Sequence, residues 1–337
     1  MLADKKPDRD ELIHTPPEMA VAEADVRPAE GAEFVRGTSL WRDAWRRLLK
    51  NKLAVFGLVV VVIVSIASLI GPTLIKKTFG FTPDYIPTHV KLARSYPPFT
   101  GPDGEFSWLH PMGTDNAGRD QLARVLQGGQ ISLFVGIIST LVSLLIGVTY
   151  GAIAGYVGGR VDNVMMRFVD VLYSLPYVIL VIVLLSMFRS QTPRGQLTLL
   201  FVAIGSVSWL TMARIVRGQV LSLKNQEFVM AARATGVSGS RIIFRHLIPN
   251  TLGPVIVYAT LTIPQIMLTE AFLSFLGFGV QAPLSSWGSL AAEGVQNIGI
   301  FPWQLIFPGV TMALTLFSLN FLGDGLRDAL DPQMRTV

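Results

Sequence analysis

Apolar residues in this chain run in long blocks, not at the spacing of a half-buried helix or strand. Leu53–Ile75 carries no charge between Lys52 and Lys76, and Ile131–Val157 carries none at all. Met165–Phe188 holds Asp170 near its start, and Leu197–Met212 ends just before Arg214. Thr251–Phe275 contains Glu270, and Pro302–Leu322 closes at Asp324. A helix that crosses a bilayer needs about 20 mostly apolar residues. The pattern therefore predicts an all-α polytopic membrane protein with six spans. Gly, Ser, Thr and Ala in the second, fourth and fifth blocks favour close helix approach.

One shorter segment has a different period. Trp41, Ala44, Trp45, Leu48 and Leu49 recur at helical spacing, with Arg42, Arg46, Arg47 and Lys50 opposite and Ser39 as N-cap. This predicts an amphipathic helix lying in the membrane interface.

Composition agrees with the blocks. The 337 residues are 50% hydrophobic and 15% charged, against about 25% charged in an ordinary soluble domain. Mean hydropathy is +0.49 and net charge is +5. The charges also set orientation. Arg36, Arg42, Arg46, Arg47, Lys50 and Lys52 precede the first span. Arg214, Arg217, Lys224, Arg233, Arg241 and Arg245 fill the loop between the fourth and fifth. Phe278–Trp303 has no Lys or Arg. Basic loops stay cytoplasmic, so both termini are expected inside. The two arginines of Arg189–Gln196 are a small vote against. The first 35 residues, acidic and Pro-containing, read as a disordered cytoplasmic tail without a cleavable signal.

Enzyme chemistry finds no motif. Cys is absent and the four His are scattered, with no HExxH. There is no GxSxG elbow and no GxxxxGK[ST] loop, so any ATP that drives this chain is hydrolysed by another polypeptide. Asp115–Asp120 lacks the ligand spacing and terminal Glu of a calcium loop.

The loop between the fourth and fifth spans is not a linker. Gln226–Ser238 is rich in helix formers and stops at Gly236, which predicts a short helix of at most about three turns outside the membrane. Ala231, Ala232 and Ala234 would admit a close surface, and Phe228, Val229 and Met230 would anchor it. Composition alone fits an interfacial helix without a partner equally well.

Five motifs in order bear on that choice. Ala231-Ala232, Gly236 and Ile248-Pro249-Asn250 resemble the EAA loop of ABC-importer permeases. Gly113–Asp120 resembles the GTDxxGRD signature of peptide and nickel importer permeases. Asp170 with Ser174 and Pro176, Glu270–Gly279, and Leu326–Pro332 resemble three further signatures of that family. Ser39-Leu40-Trp41, Val207–Gln219 and Pro283–Gly288 are most similar to C-type oligopeptide permease subunits.

The resemblance implies a six-helix type I importer permease that passes oligopeptides delivered by an external binding protein. It implies a homologous permease partner and two ATPase subunits that bind the ATP and Mg. This chain is then neither an enzyme nor a cofactor or nucleic-acid binder. Dipeptide, nickel or murein-peptide transport are alternatives within the family, and an ion-coupled secondary transporter is the alternative outside it. The coupling helix docks into an ATPase groove, which assigns Glu227, Phe228, Met230, Ala231, Ala232, Arg233 and Gly236 to ATPase coupling. Met230 stands where the family's first Glu is usual, so that position docks by shape rather than charge. The expected organisation is tail 1–35, interfacial helix 36–52, span 53–75, external loop 76–130, a five-helix core 131–323 with coupling loop 214–250, and cytoplasmic tail 324–337. Charged residues inside spans are functional candidates. Glu270 and Asp170 are candidates for the substrate pathway or for packing, Asp170 as a cap or in an ion pair with Arg167, three residues earlier. Trp287 is expected on an outer interfacial helix.

Overall fold

The computed structural model describes residues 40–87, 94–101, 103–188 and 190–330, and the side chains of Leu40 and Trp41 are not among those described. The expected tail 1–35, the Ser39 cap, Arg189 and the Asp331-Pro332 end of the last motif lie outside that range. Within it the chain is helical, with two isolated bridges and no strand.

Helix α1 (Leu40–Lys50) ends where Asn51 caps α2 (Lys52–Phe79), its carboxamide oxygen accepting from Leu53 N and Ala54 N. A loop leads to α3 (Gln121–Val157), followed by α4 (Gly159–Ser174), α5 (Tyr177–Met187) and α6 (Pro193–Leu223). Short α7 (Glu227–Ala234) precedes α8 (Gly239–Ile242), a π turn (Ile243–Leu247) and α9 (Ile248–Phe275). Helices α10 (Trp287–Val295) and α11 (Trp303–Leu330) complete the bundle.

Five of these stretches are long and apolar enough to cross a membrane: α2, α3, α6, the α8-to-α9 stretch and α11. The count reaches six if α4 and α5, bent by 88° at their junction, are taken together as one broken span. The expected third span is therefore two helices. Pro176 has no N–H to donate and its ring disfavours helical backbone at Leu175, which is extended at ψ 139. Helix α3 starts at Gln121, ahead of the expected Ile131, because Asp120 caps it by accepting from Ala123 N at 2.7 Å. Its buried Arg124 is compatible with the helix because it is fully ion-paired, as described below.

Helices α3 and α6 form the bundle axis. Gly147, Gly151 and Gly155 share one face of α3, and a Cβ on each would meet Trp209 O, Ala213 O and Arg217 O of α6. Small residues thus bring two backbones together where lipid supplies no hydrophobic drive. In its most apolar stretch α6 is 56% buried, while α2 is 17% buried and leaves Ile63, Ile66, Ile70 and Leu74 exposed. Helix α1 is half docked. Ala44 and Leu48 pack against Ala54 of α2 and Ala329 of α11, whereas Trp45 and Leu49 remain exposed. The apolar stripe read as a membrane face is thus shared between protein and surroundings.

Candidate functional site

The segment after α6 folds back against the bundle as a ledge. On α7, Val229 and Ala232 are three residues apart and share the inner face. They pack with Ile242, Ile243 and Leu247 and with Val216 and Val220 of α6. Glu227, Phe228, Met230, Ala231, Arg233 and Gly236 are exposed. The structure therefore corrects two expectations: Val229 and Ala232 hold the ledge to its own bundle and are not on the outer face. Gly236 ends the helix at φ +78, with Gly236 N donating to Arg233 O and Val237 N to Ala232 O. This paired cap needs a left-handed residue, which Gly supplies at low cost. Lys224 Nζ donates to Gly155 O at 2.9 Å, satisfying a carbonyl at the end of α3. The Arg233 guanidinium sits 5.1 Å from the Tyr156 ring centre.

Above the ledge, two ion pairs tie α4 to α6. Arg217 donates to both oxygens of Asp162, at 2.6 and 2.7 Å. Arg214 donates to Asp170 at 2.7 Å and lies 4.2 Å over the Tyr173 ring. Asp170 is thus paired across helices, not with Arg167 on its own helix. A fork of guanidinium donors matches a carboxylate in this way. Arg214 and Arg217 are also more than orientation markers, since each has a carboxylate partner.

Glu270 lies elsewhere. Its side chain is fully buried, accepting from Ser274 Oγ at 2.6 Å and Ser132 Oγ at 3.2 Å. Ser132 Oγ in turn accepts from Trp287 N at 3.2 Å. The Trp287 side chain is fully buried, its indole donating to Val125 O at 2.9 Å. That corrects its expected interfacial position: α10 packs inward against α3 and α9. The Gly113–Asp120 motif also serves as a joint. Asp115 accepts from Arg119 Nε at 2.6 Å and from Arg124 at 2.7 Å, and Arg124 continues to Glu293 on α10 at 2.7 Å. Thr114 O accepts from Trp303 Nε1 and Gln304 Nε2 of α11, each at 3.2 Å. Among the described residues no cluster of His, Asp and Glu could hold a metal.

A cavity of about 550 Å³ opens at the α4–α5 break, between α6 and α9. Its wall holds Tyr173, Ser174 and Tyr177 from the break, Ser208 and Thr211 from α6, and Thr262, Gln265 and Thr269 from α9. No Asp, Glu, Lys or Arg lines it. Glu270, one residue beyond Thr269, points away into its serine cluster.

Residues 147–336 match the family described as binding-protein-dependent transport system inner membrane component. The chain belongs to that family. Residues 39–98 match a second description, N-terminal TM domain of oligopeptide transport permease C. The oligopeptide transport system permease protein OppC of Haemophilus influenzae is 48% identical over 89% of this chain and 91% of its own. OppC of Escherichia coli K12 is 47% identical over 89% and 94%, and the dipeptide permease DppC of Bacillus subtilis is 44% identical over 90% of each. A chain of the MetNI methionine ABC transporter aligns over 62% of this chain and 96% of its own, at 21% identity and a TM-score of 0.49.

As a transport component of this family the protein is a multi-pass membrane permease, not a catalytic subunit. Its coupling candidates lie on one short helix and at Gly236 just beyond its end, all but Ala232 exposed. The two charged candidates are separated, Asp170 facing α6 and Glu270 buried between α3, α9 and α10. The cavity is the feature that motif reading missed. A signal for it existed: Tyr258, Thr262, Gln265 and Thr269 recur at i, i+4, i+7 and i+11, a polar stripe along one face of an apolar helix.

Proposed function

We propose that the chain is one of two homologous transmembrane subunits of an ATP-driven oligopeptide importer. Its partners are a second permease, two ATPase subunits that bind ATP and Mg, and an external binding protein that delivers peptide. Both termini and the ledge are cytoplasmic, and the chain itself breaks no bond. The outer face of α7 docks in an ATPase groove. ATP-driven motion of the ATPases then shifts the bundle between two packings, because the two states differ in their contacts with α7.

The observation that carries this reading is the two-faced ledge. Val229 and Ala232 lock its inner face, while Phe228 and Met230, 40% and 52% exposed, lie uncovered on the outer one. A push on the outer face is transmitted through the buried contacts to α6 and the π turn. Such turns often mark functional sites in helices.

The test is uptake of labelled peptide by proteoliposomes holding the complete importer. Uptake should require ATP and the ATPases. Ala231→Trp should insert normally and lose most uptake, since it fills the outer face without touching the inner one. Gly236→Trp is a poorer probe, because φ +78 strains any side chain there and would damage the cap as well. Uptake driven by an ion gradient without ATPases would establish a secondary transporter instead. A dipeptide importer is the second reading, since DppC at 44% identity is nearly as similar as OppC at 47–48%. Comparing dipeptide with pentapeptide uptake decides it.

A further inference from the structure

The cavity at the helix break has a wall that indicates what it accepts. Ser208 Oγ donates to Ile204 O at 2.8 Å, Thr262 Oγ1 to Tyr258 O at 2.8 Å, and Thr269 Oγ1 to Gln265 O at 2.9 Å. Each hydroxyl proton is spent on its own helix, four residues back. What these groups turn to the cavity is oxygen lone pairs. The Tyr177 hydroxyl, 3.0 Å from Ser208 Oγ, donates its proton to that oxygen, so the exposed Gln265 carboxamide supplies the donors of that wall. Gln265 and Ser174 are exposed in the middle of spanning segments. Against hydrocarbon the Gln265 amide would forfeit its hydrogen bonds, so this opening faces a polar path.

We propose that the cavity is a main-chain subsite on the translocation path, one that hydrogen-bonds peptide amide groups and does not read side-chain charge. This rests on the importer reading above. A peptide offers one N–H donor and one C=O acceptor per residue whatever its side chains. The hydroxyl acceptors and the Gln265 amide match that repeat, and Leu172, Leu175, Pro176, Val207, Leu210 and Ile266 make up the apolar remainder of the wall. The volume of about 550 Å³ is of the size that holds a small ligand. A single charge would spoil this neutrality, because the field of an unscreened charge in a partly dry site favours one sign of substrate. The lining carries none. Tyr173 does carry Arg214 over its ring, but that guanidinium is neutralised by Asp170 at 2.7 Å. The subsite therefore leaves sequence preference to the binding protein.

The experiment places a charge in the wall. Complete importer in proteoliposomes, with saturating binding protein, is given three tripeptides that carry Glu, Ala or Lys at the centre. The wild type should move all three on ATP at similar rates. Gln265→Glu should slow the Glu peptide relative to the Lys peptide by about tenfold, and Gln265→Lys should reverse the order. Gln265 is exposed, so both variants can fold. Thr269→Glu and Thr269→Lys, about one turn further along the wall, repeat the test independently. Equal slowing of all three peptides by both signs of charge, or no change in any, overturns the proposal. A wild type that moves the three peptides at widely different rates also overturns it. A wild type that moves none on ATP refutes the importer reading, and the subsite with it.

Discussion

Glu270 stands out in any apolar stretch, and its burial is expensive. The sequence cannot say that Ser132, from another helix, reaches it. The fold surrounds it with Ser132 and Ser274. Glu270→Ala leaves their hydroxyls without that acceptor and is expected to destabilise by about 1–3 kcal/mol. Glu270→Gln keeps an acceptor oxygen and should cost less. Thermal unfolding of the detergent-purified complex checks both. An Ala variant with unchanged stability but no uptake would place Glu270 on the pathway instead. Asp170 teaches the same lesson, since helical spacing pointed to Arg167 while the bundle supplied Arg214. Trp287 was misplaced because tryptophan favours the membrane interface, whereas here the ring fills the space beside Gly128 and Gly129.

At the scale of elements, existence was legible and ends and breaks were less so. Charge marked where spans stop, and Arg124 made α3 look shorter than it is until Asp115 and Glu293 were seen to pair it. Pro176 was visible, but whether a proline kinks or breaks a helix depends on what surrounds it. The glycines sort by neighbour, which a sequence does not show. Gly151 faces Ala213 O of α6, and Gly218 has nothing within 4 Å. Gly151→Ala should therefore destabilise by about 1–3 kcal/mol through overpacking. Gly218→Ala should be neutral or stabilising by up to about 1 kcal/mol through helix propensity. The Gly151→Ala midpoint should fall while the Gly218→Ala midpoint does not, and a Gly151→Ala midpoint at or above wild type would contradict the close α3–α6 contact. The α4–α6 ion pairs give a second element-level test. Asp162→Arg alone should lower the midpoint, and adding Arg217→Asp should recover part of the loss.

For the whole molecule, hydrophobic blocks and the sorting of basic residues conveyed a six-span membrane bundle with one unusual loop. The cavity was legible only as the polar stripe on α9, because the rest of its wall comes from α4, α5 and α6 and it has no charge to draw attention. The ledge was legible as a helix, yet its inner and outer faces were assigned only by the packing of Val229 and Ala232. The central claim is that the outer face is where the ATPases press. The chain has no native cysteine, so Met230→Cys gives it a unique thiol. Labelling with a membrane-impermeant maleimide in inside-out vesicles, with and without co-expressed ATPases, measures the claim directly. The account predicts rapid labelling without ATPases, strong protection with them, and no labelling in sealed right-side-out vesicles. Equal labelling with and without ATPases, or labelling from the external side, would contradict it.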